Sequence, residues 1–259
     1  MNKITESQII IPQHHFLYGE KTEDRTSFLK GMESDYSLGI DQINPSVIYL
    51  SDIGLPISRI KEGIPKRPID LASYDYTLYS LLSSLVKKII DSDDYAEIEY
   101  RSKELFSLLN EIYLKDEGLV VHDYSELAKT LDKIKASYQK YYASYCQTGV
   151  GQQPTITSID LVTFLKDIKE ILNNTSIIFI LDHQSPLNPS GYQAINSLIG
   201  SLRPKLATIN VASSFDDWKS YYTFAGEMLN YDEDYDIIDL DGNFERTQAS
   251  LAKKYSFDE

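Results

Sequence analysis

Short runs of apolar residues recur along the chain, and each is bounded by glycine, proline or polar residues. The first run, HHFLYG, ends at Gly19, and the segment RTSFLKGM that follows a polar stretch begins a helical pattern. The run PSVIYLSDIG, from Pro45 to Gly54, is rich in β-branched and aromatic residues, as a strand buried on both faces requires. The pattern up to Gly54 therefore predicts strand, loop, helix and strand.

The pattern becomes helical between Asp70 and about Cys146. Three stripes of apolar residues recur at helical spacing, and a turn signal from Asp123 to Glu126 precedes the third. We interpret residues 70–149 as an all-helical insertion and residues 1–69 and 150–259 as one α/β core. The stripes are Leu78, Leu81, Leu82, Leu85 and Ile89; Leu105, Leu108, Leu109, Ile112 and Tyr113; and Leu127, Leu131, Ile134, Tyr138 and Tyr141.

Strands and helices alternate again after the glycine- and proline-containing linker from Gly149 to Thr155. A new helix is expected near Ser158, with Asp160 in its first turn, and Asn173-Asn174 closes it. Three further strands follow, in SIIFILD, KLATINVASS and YDIIDLD. Five strands joined by crossover helices predict an α/β fold with a mostly parallel sheet flanked by helices.

Composition narrows the classes of partner. The 39 acidic and 25 basic side chains of the 259 residues give a formal charge of −14 at pH 7, which opposes attraction to nucleic acid or anionic lipid. No stretch approaches the ~20 apolar residues of a membrane span, and the first residues lack the order of a signal peptide. We expect a cytoplasmic protein. Cys146 has no disulfide partner, and the four histidines lack zinc-site spacing.

The loop after the first predicted strand resembles a phosphate-binding loop, G-x-x-x-x-G-K-[ST]. The register keeps Gly19 and the hydroxyl of Thr26, but Asp24 replaces the second glycine and Arg25 replaces the lysine. A carboxylate and a planar guanidinium in these positions predict weak or altered phosphate binding. The alternative is an ordinary polar loop in which Asp24 is the N-cap of the helix.

The strand IIFILD has the form of a Walker B strand. Asp182 ends it, in position to hold magnesium through water, but His183 stands where hydrolysing proteins carry an acidic residue. Loss of a general base typically lowers the rate by ~10²–10⁴. The alternatives are a strand-end cap for Asp182 and a hydrogen-bonded loop residue for His183.

The chain resembles the bacterial branch of AAA-type P-loop ATPases related to origin-recognition initiators. The resemblance rests on the order of four segments: FLYGEKTEDRTSFLKGM, SVIYLSDIG, SIIFILDHQSPL, and the stretch from KLATINVASS to YDIIDLD. Such proteins are often encoded beside mobile elements or antiphage defence genes. The resemblance covers about residues 1–60 and 155–245. It implies a P-loop NTPase-like fold, and a helical lid and further domain supplied by a longer chain or by a partner.

The resemblance also implies roles for individual residues. It makes Gly19, Arg25 and Thr26 contacts to phosphate and magnesium, and Asp182 the Walker B aspartate. Ser213 or Ser214 would be the polar sensor after the next strand. The departures are Asp24, Arg25, His183 and the lack of an arginine after NVASS, and they suggest a pseudo-ATPase that binds ATP or ADP with magnesium weakly or not at all.

Three functions follow as hypotheses. The first is a regulatory or assembly subunit with little or no ATP hydrolysis, working with a protein partner or as a homo-oligomer. The second is a weakly active Mg-ATPase of a defence or mobile-element system, in which His183 or a residue from a neighbouring subunit activates water. The third is a DNA-binding scaffold with a P-loop-like fold, in which Lys61, Lys66 and Arg67 contact the phosphate backbone of the DNA. The tyrosines of YQKYYASY form either a partner surface or part of the helical core.

Overall fold

The protein is an α/β structure built on one five-stranded, all-parallel sheet. The computed structural model describes residues 3–51, 53–55, 60–114, 119–154, 159–185, 187–214 and 217–241. The strand order is β2-β3-β4-β1-β5, which confirms the predicted α/β fold and is consistent with a P-loop NTPase-like fold at the general level. The strands are β1 His15–Tyr18, β2 Ser46–Leu50, β3 Ile177–Asp182, β4 Thr208–Ser213 and β5 Asp236–Asp239.

Helices cover both faces of the sheet, so the strands are buried and almost continuously apolar. One face, with Leu17 and Ile180, packs against α1 and α2 through Ile9, Leu29 and Met32. The other face packs against the remaining long helices. The helices are α1 Lys3–Ile9, α2 Thr22–Asp35, α3 Arg67–Ile90, α4 Tyr95–Arg101, α5 Lys103–Leu108, α6 Tyr124–Thr148, α7 Leu161–Ile171 and α8 Pro189–Ser201, with a π-helix at Leu109–Tyr113.

The connections that leave the neighbouring strands β1 and β4 run in opposite directions across the sheet. From β1 the chain crosses through α2 to the far edge at β2, returns through β3 and β4, and then passes β1 to reach β5 at the other edge. In open parallel sheets, ligand sites lie beyond the carboxyl ends of the strands at such a reversal. The ends of β1, β3 and β4 meet there, at Tyr18, Asp182 and Ser213.

The helical segment shares one hydrophobic core with the sheet. Leu81 and Leu85 of α3 belong to the same buried cluster as Phe179 and Val211 of the strands. The sequence predicted one helix for the stripe from Leu105 to Tyr113. The segment is helical as predicted, but the α-helix α5 changes to a π-helix at Leu109, and Ile112 is 53% exposed.

The tyrosine-rich segment lies in α6 and belongs to the core. Tyr138 stacks on Tyr79 with 5.8 Å between ring centroids, and Tyr142 is also buried. Cys146 is fully buried, and burial raises the pKa of its thiol. These side chains therefore belong to the helical core, which was one of the two predictions for this segment.

The sequence also predicted both ends of α7. The expected helix start near Ser158 lies outside the described residues, and α7 begins at Leu161 with the Asp160 carboxylate accepting from Val162 N as N-cap. Asn173 and Asn174 do follow α7, both with positive φ. Among the described residues, no helix combines the length and apolar character that a membrane crossing requires.

Candidate functional site

The loop after β1 is short, and its first two backbone N–H groups bind other parts of the protein. Only Gly19, Glu20 and Lys21 separate β1 from α2. The N–H of Gly19 donates to Ser213 O at 3.1 Å, and the N–H of Glu20 donates to the Asp241 carboxylate at 2.8 Å. A phosphate cradle needs such N–H groups to point at the ligand. In this loop both have protein acceptors.

Asp24 lies on the exposed side of α2. The N-cap position belongs to Lys21, which makes no side-chain capping bond, so the expectation that Asp24 caps the helix was wrong. The side chain of Asp24 is 71% exposed and forms an ion pair with Lys21 at 3.8 Å. An exposed pair of this kind contributes little to stability because solvent screens it.

Arg25 points into the protein rather than into solvent. Its side chain is 1% exposed, and its Nε donates to Asp182 Oδ1 at 3.1 Å. Nη1 donates to Gly19 O at 2.7 Å and Nη2 to His183 O at 3.2 Å. The guanidinium thus joins the loop after β1 to the end of β3, and a compact ammonium could not make these three divergent contacts together.

Asp182 accepts hydrogen bonds at both carboxylate oxygens. Arg25 binds Oδ1, and three donors converge on Oδ2: the hydroxyl of Thr26, the hydroxyl of Tyr49 at 2.7 Å and the amide of Gln184 at 2.9 Å. Gln184 also contacts Thr26 Oγ1 and Tyr49 OH, at 3.1 and 3.0 Å. We call these five side chains the Asp182 cluster.

The cluster keeps Asp182 ionised. Burial alone would raise the pKa of Asp182, but the hydrogen bonds from Gln184, Thr26 and Tyr49 and the charge of Arg25 together lower it below 3.8. The pKa of Tyr49 is raised, first by burial and then by its bond to Asp182. The hydroxyl of Tyr49 therefore stays protonated at physiological pH and donates a hydrogen bond to the carboxylate.

His183 is enclosed by aromatic rings and polar atoms. Its backbone N–H donates to Ala212 O at 2.7 Å, and its ring meets Trp218 edge-on at 5.6 Å between centroids. Nδ1 and Nε2 lie 3.4 Å from the hydroxyls of Ser213 and Tyr192. Burial lowers the pKa of His183, against the opposing charge of Asp217. His183 is 3% exposed, so it does not meet bulk water as a general base would.

The two serines proposed as sensors differ in environment. Ser213, at the end of β4, is fully buried, and its hydroxyl donates to Ser214 O at 2.9 Å. Ser214 binds the carboxylate of Asp217 through its own hydroxyl. Ser213 therefore belongs to the same edge of the sheet as Asp182 and His183, whereas Ser214 closes the turn that follows.

The basic residues Lys61, Lys66 and Arg67 lie on an exposed segment at the start of α3. Lys66 pairs with Asp70 at 3.3 Å and donates to the side chain of Gln193 at 2.7 Å. One of the three charges is thus already partnered by an acid. Nucleic-acid binding by this segment stays a prediction.

In this arrangement the cluster does not fit a magnesium-bound nucleotide. A Walker-type site would need Thr26 and an oxygen of Asp182 to face the metal, and an unpaired cation to face the phosphates. Here Thr26 donates to Asp182, and Arg25 occupies the space between Gly19 and Asp182. No group of three or more potential metal ligands occurs in the ranges that the structure describes.

Three residues of this site escaped the sequence analysis: Tyr49, Gln184 and Asp241. Gln184 stands two positions after Asp182, and this short spacing is a signal that the sequence contains. Tyr49 lies inside a strand that reads as buried throughout, and Asp241 follows β5, more than 200 positions after the loop it contacts. Only the parallel pairing of the strands brings these residues to one edge.

Comparison with known proteins adds no family assignment. No protein-family model matches the chain, and no curated protein matches it.

Proposed function

We propose that this chain is a regulatory or assembly subunit with a P-loop NTPase-like fold that has lost ATP hydrolysis, acting in the cytoplasm through protein contacts. The observation that carries the proposal is the buried pair of Arg25 and Asp182, 3.1 Å apart between Nε and Oδ1. In the ATPases that the chain resembles, the residues at these two positions contact phosphate and magnesium. In this chain they bind each other.

Electrostatics supports the loss of tight nucleotide binding. To receive phosphate, Arg25 would have to leave Asp182, Gly19 and His183, and breaking a buried ion pair costs about 3–5 kcal/mol. Such a cost lowers affinity by more than about a hundredfold. In the loop itself, the N–H groups of Gly19 and Glu20 already have protein acceptors.

The two side chains that follow Asp182 are not placed to act as a base for hydrolysis. The only imidazole at this edge among the described residues, that of His183, is buried between Trp218 and Tyr192. Gln184, the next residue, has its amide nitrogen directed at Asp182, Thr26 and Tyr49. Neither side chain is placed to take a proton from an attacking water.

Calorimetric titration with ATP and ADP, with and without magnesium, tests the proposal. We expect no binding in the parent protein and none in Asp24→Gly, because Asp24 is exposed and does not block the loop. Arg25→Lys is the informative variant, since lysine restores the phosphate-loop residue and gives up the contacts to Gly19 and His183. Weak nucleotide binding in Arg25→Lys would show that the arginine closes the site.

Micromolar binding of ATP by the parent, abolished in Arg25→Ala, would overturn the proposal. It would show that phosphate displaces Asp182 from the guanidinium, and a hydrolysis assay would then test the weakly active Mg-ATPase.

A further inference from the structure

A groove on the helical face of the protein lies between α5 and α7. It has a volume of about 480 Å³ and two helical walls. One wall carries Arg101, the last residue of α4, and Glu104, Leu105 and Leu108 of α5. The opposite wall carries Asp167, Glu170 and Ile171 of α7. The groove shares no residue with the Asp182 cluster.

The floor of the groove is apolar and its rim is acidic. Leu105 is buried, while Leu108 and Ile171 are half-buried. Glu104 and Glu170 are exposed at the rim, and Asp167 is half-buried beside them. The one basic lining residue, Arg101, binds Glu97, Ile171 O and the Asn173 side chain.

The rim carboxylates form no ion pair among the described residues. No ion pair joins Glu104, Asp167 or Glu170 to a basic side chain in the part of the chain that the structure describes. Burial raises the pKa of Asp167, and the charge of Glu170 raises it further, against the opposing charge of Lys166. A cation placed between these acids would relieve their mutual repulsion.

The wall that carries Leu105 continues into unusual local structure. The π-helix Leu109–Tyr113 follows α5 directly, and short π-helical segments are frequent at functional sites. Asn110 fixes it, because its side chain exchanges two hydrogen bonds with the backbone of Val121, at 2.8 and 2.9 Å. Ile112, four residues beyond Leu108, remains exposed. The apolar stripe therefore extends past the groove.

We infer that the groove between α5 and α7 docks a basic amphipathic helix of a protein partner. Both walls present side chains at helical spacing, so the ridges of a third helix can pack between them. Within α5 the wall runs from Glu104 to Leu108, about 6 Å at the α-helical rise, which accommodates about one helical turn. Apolar residues one turn apart would contact Leu105, Leu108 and Ile171, and flanking lysines or arginines would contact the acidic rim.

This inference names a partner for the proposed assembly role, and it is testable separately. The probe is a synthetic amphipathic helix with leucines one turn apart and lysines on both flanks. Two matched peptides replace the lysines with glutamates or the leucines with serines. Fluorescence anisotropy at about 0.15 M salt measures binding.

The protein variants change the same number of charges at two places. Glu104→Lys/Glu170→Lys alters the rim of the groove. Glu23→Lys/Asp35→Lys is the control, because both of its acids are exposed on α2, which packs on the opposite face of the sheet. The two variants therefore carry the same net charge and differ only in where the lysines lie.

We expect the lysine peptide to bind the parent and the control variant equally. The groove variant should bind it at least about tenfold more weakly, and both matched peptides should lose affinity, because the site combines charge with an apolar floor. Equal weakening in both variants would overturn the inference, since the net charge alone would then attract the peptide. Tight binding of the glutamate or serine peptide, or no binding of the lysine peptide up to about 1 mM, would also overturn it.

These results do not depend on the nucleotide titration. If the protein binds both ATP and the lysine peptide, the proposed loss of nucleotide binding is refuted and the docking groove is supported. If the protein binds neither ATP nor the peptide, the result supports the loss of nucleotide binding and refutes the docking groove.

Discussion

The Arg25 guanidinium lies against the Asp182 carboxylate, with 3.1 Å between Nε and Oδ1 and both side chains buried. This pair joins the first turn of α2 to the carboxyl end of β3, two elements separated by more than 150 residues of chain. A pair in this position serves the fold. It also removes the two charges that a phosphate and a metal would otherwise require.

Removing one member of the pair should destabilise the protein strongly. Arg25→Ala leaves the charge of Asp182 buried without its cation, and we expect a loss of about 3–5 kcal/mol in the free energy of unfolding, measured by urea denaturation. The double variant Arg25→Met/Asp182→Leu should lose clearly less than the sum of its single variants, because each partner is costly only when alone. Lys21→Ala, which breaks the exposed pair with Asp24, is the control and should change stability by less than about 1 kcal/mol. Equal losses in Arg25→Ala and Lys21→Ala would contradict this account.

The stabilising effect of Asp182 should depend on pH in the acid range. Its pKa is lowered in the folded protein, so its contribution is fully present above the ordinary value of 3.8 and is lost as pH falls through the folded pKa. Asp182→Asn should therefore be less stable than the parent at pH 7. The difference should narrow as pH falls below about 4, because the unfolded parent then binds a proton at this carboxylate while the folded parent, with its lower pKa, still holds it ionised. A difference that stays constant from pH 7 to pH 3 would show that the charge of Asp182 does not contribute.

His14 should make stability fall between pH 7 and pH 5. Its Nδ1 accepts from Ile209 N at 2.9 Å, so Nε2 carries the proton that bonds Leu202 O at 2.7 Å. Burial lowers the pKa of His14 below 6.5, and the unfolded chain therefore binds more protons as pH falls below that value. We expect His14→Gln to reduce the slope of unfolding free energy against pH by up to about 1.4 kcal/mol per unit. His122→Gln, at an exposed position, is the control. The same slope in both variants would exclude His14 as the cause.

Two glycines should respond to alanine in opposite directions. Gly149 ends α6 with φ +70°, a left-handed conformation that strains an alanine, and its Cβ would also touch Ile64. Gly149→Ala should therefore destabilise the protein by about 1 kcal/mol. Gly31 lies inside α2 with no atom within 4 Å of an added Cβ, so Gly31→Ala should stabilise by about 0.5–1 kcal/mol. Thermal unfolding of both variants measures the two signs, and a shared sign would refute the backbone argument.

Local patterns were sufficient for the strands and for most of the helices. Five apolar runs predicted five strands, because a parallel sheet covered on both faces needs strands that are apolar throughout. The stripe from Leu105 to Tyr113 predicted a helix but not the change of helix type, since apolar spacing does not reveal where α5 ends and the π-helix begins. The buried tyrosines of α6 were ambiguous for a related reason, because tyrosine suits an interface and a core equally well.

The sequence by itself determined the α/β class, the apolar strands and the polar residues that follow them, because hydrophobic periodicity and the ends of strands are local properties of the chain. It also placed Asp182 at the end of a strand and Arg25 in the segment after the first strand. Only the tertiary structure decided that they bind each other, with Tyr49 and Gln184 completing the set of donors. The pairing of β1, β3 and β4 sets these distances, and such long-range contacts leave no trace in the spacing of residues along the chain.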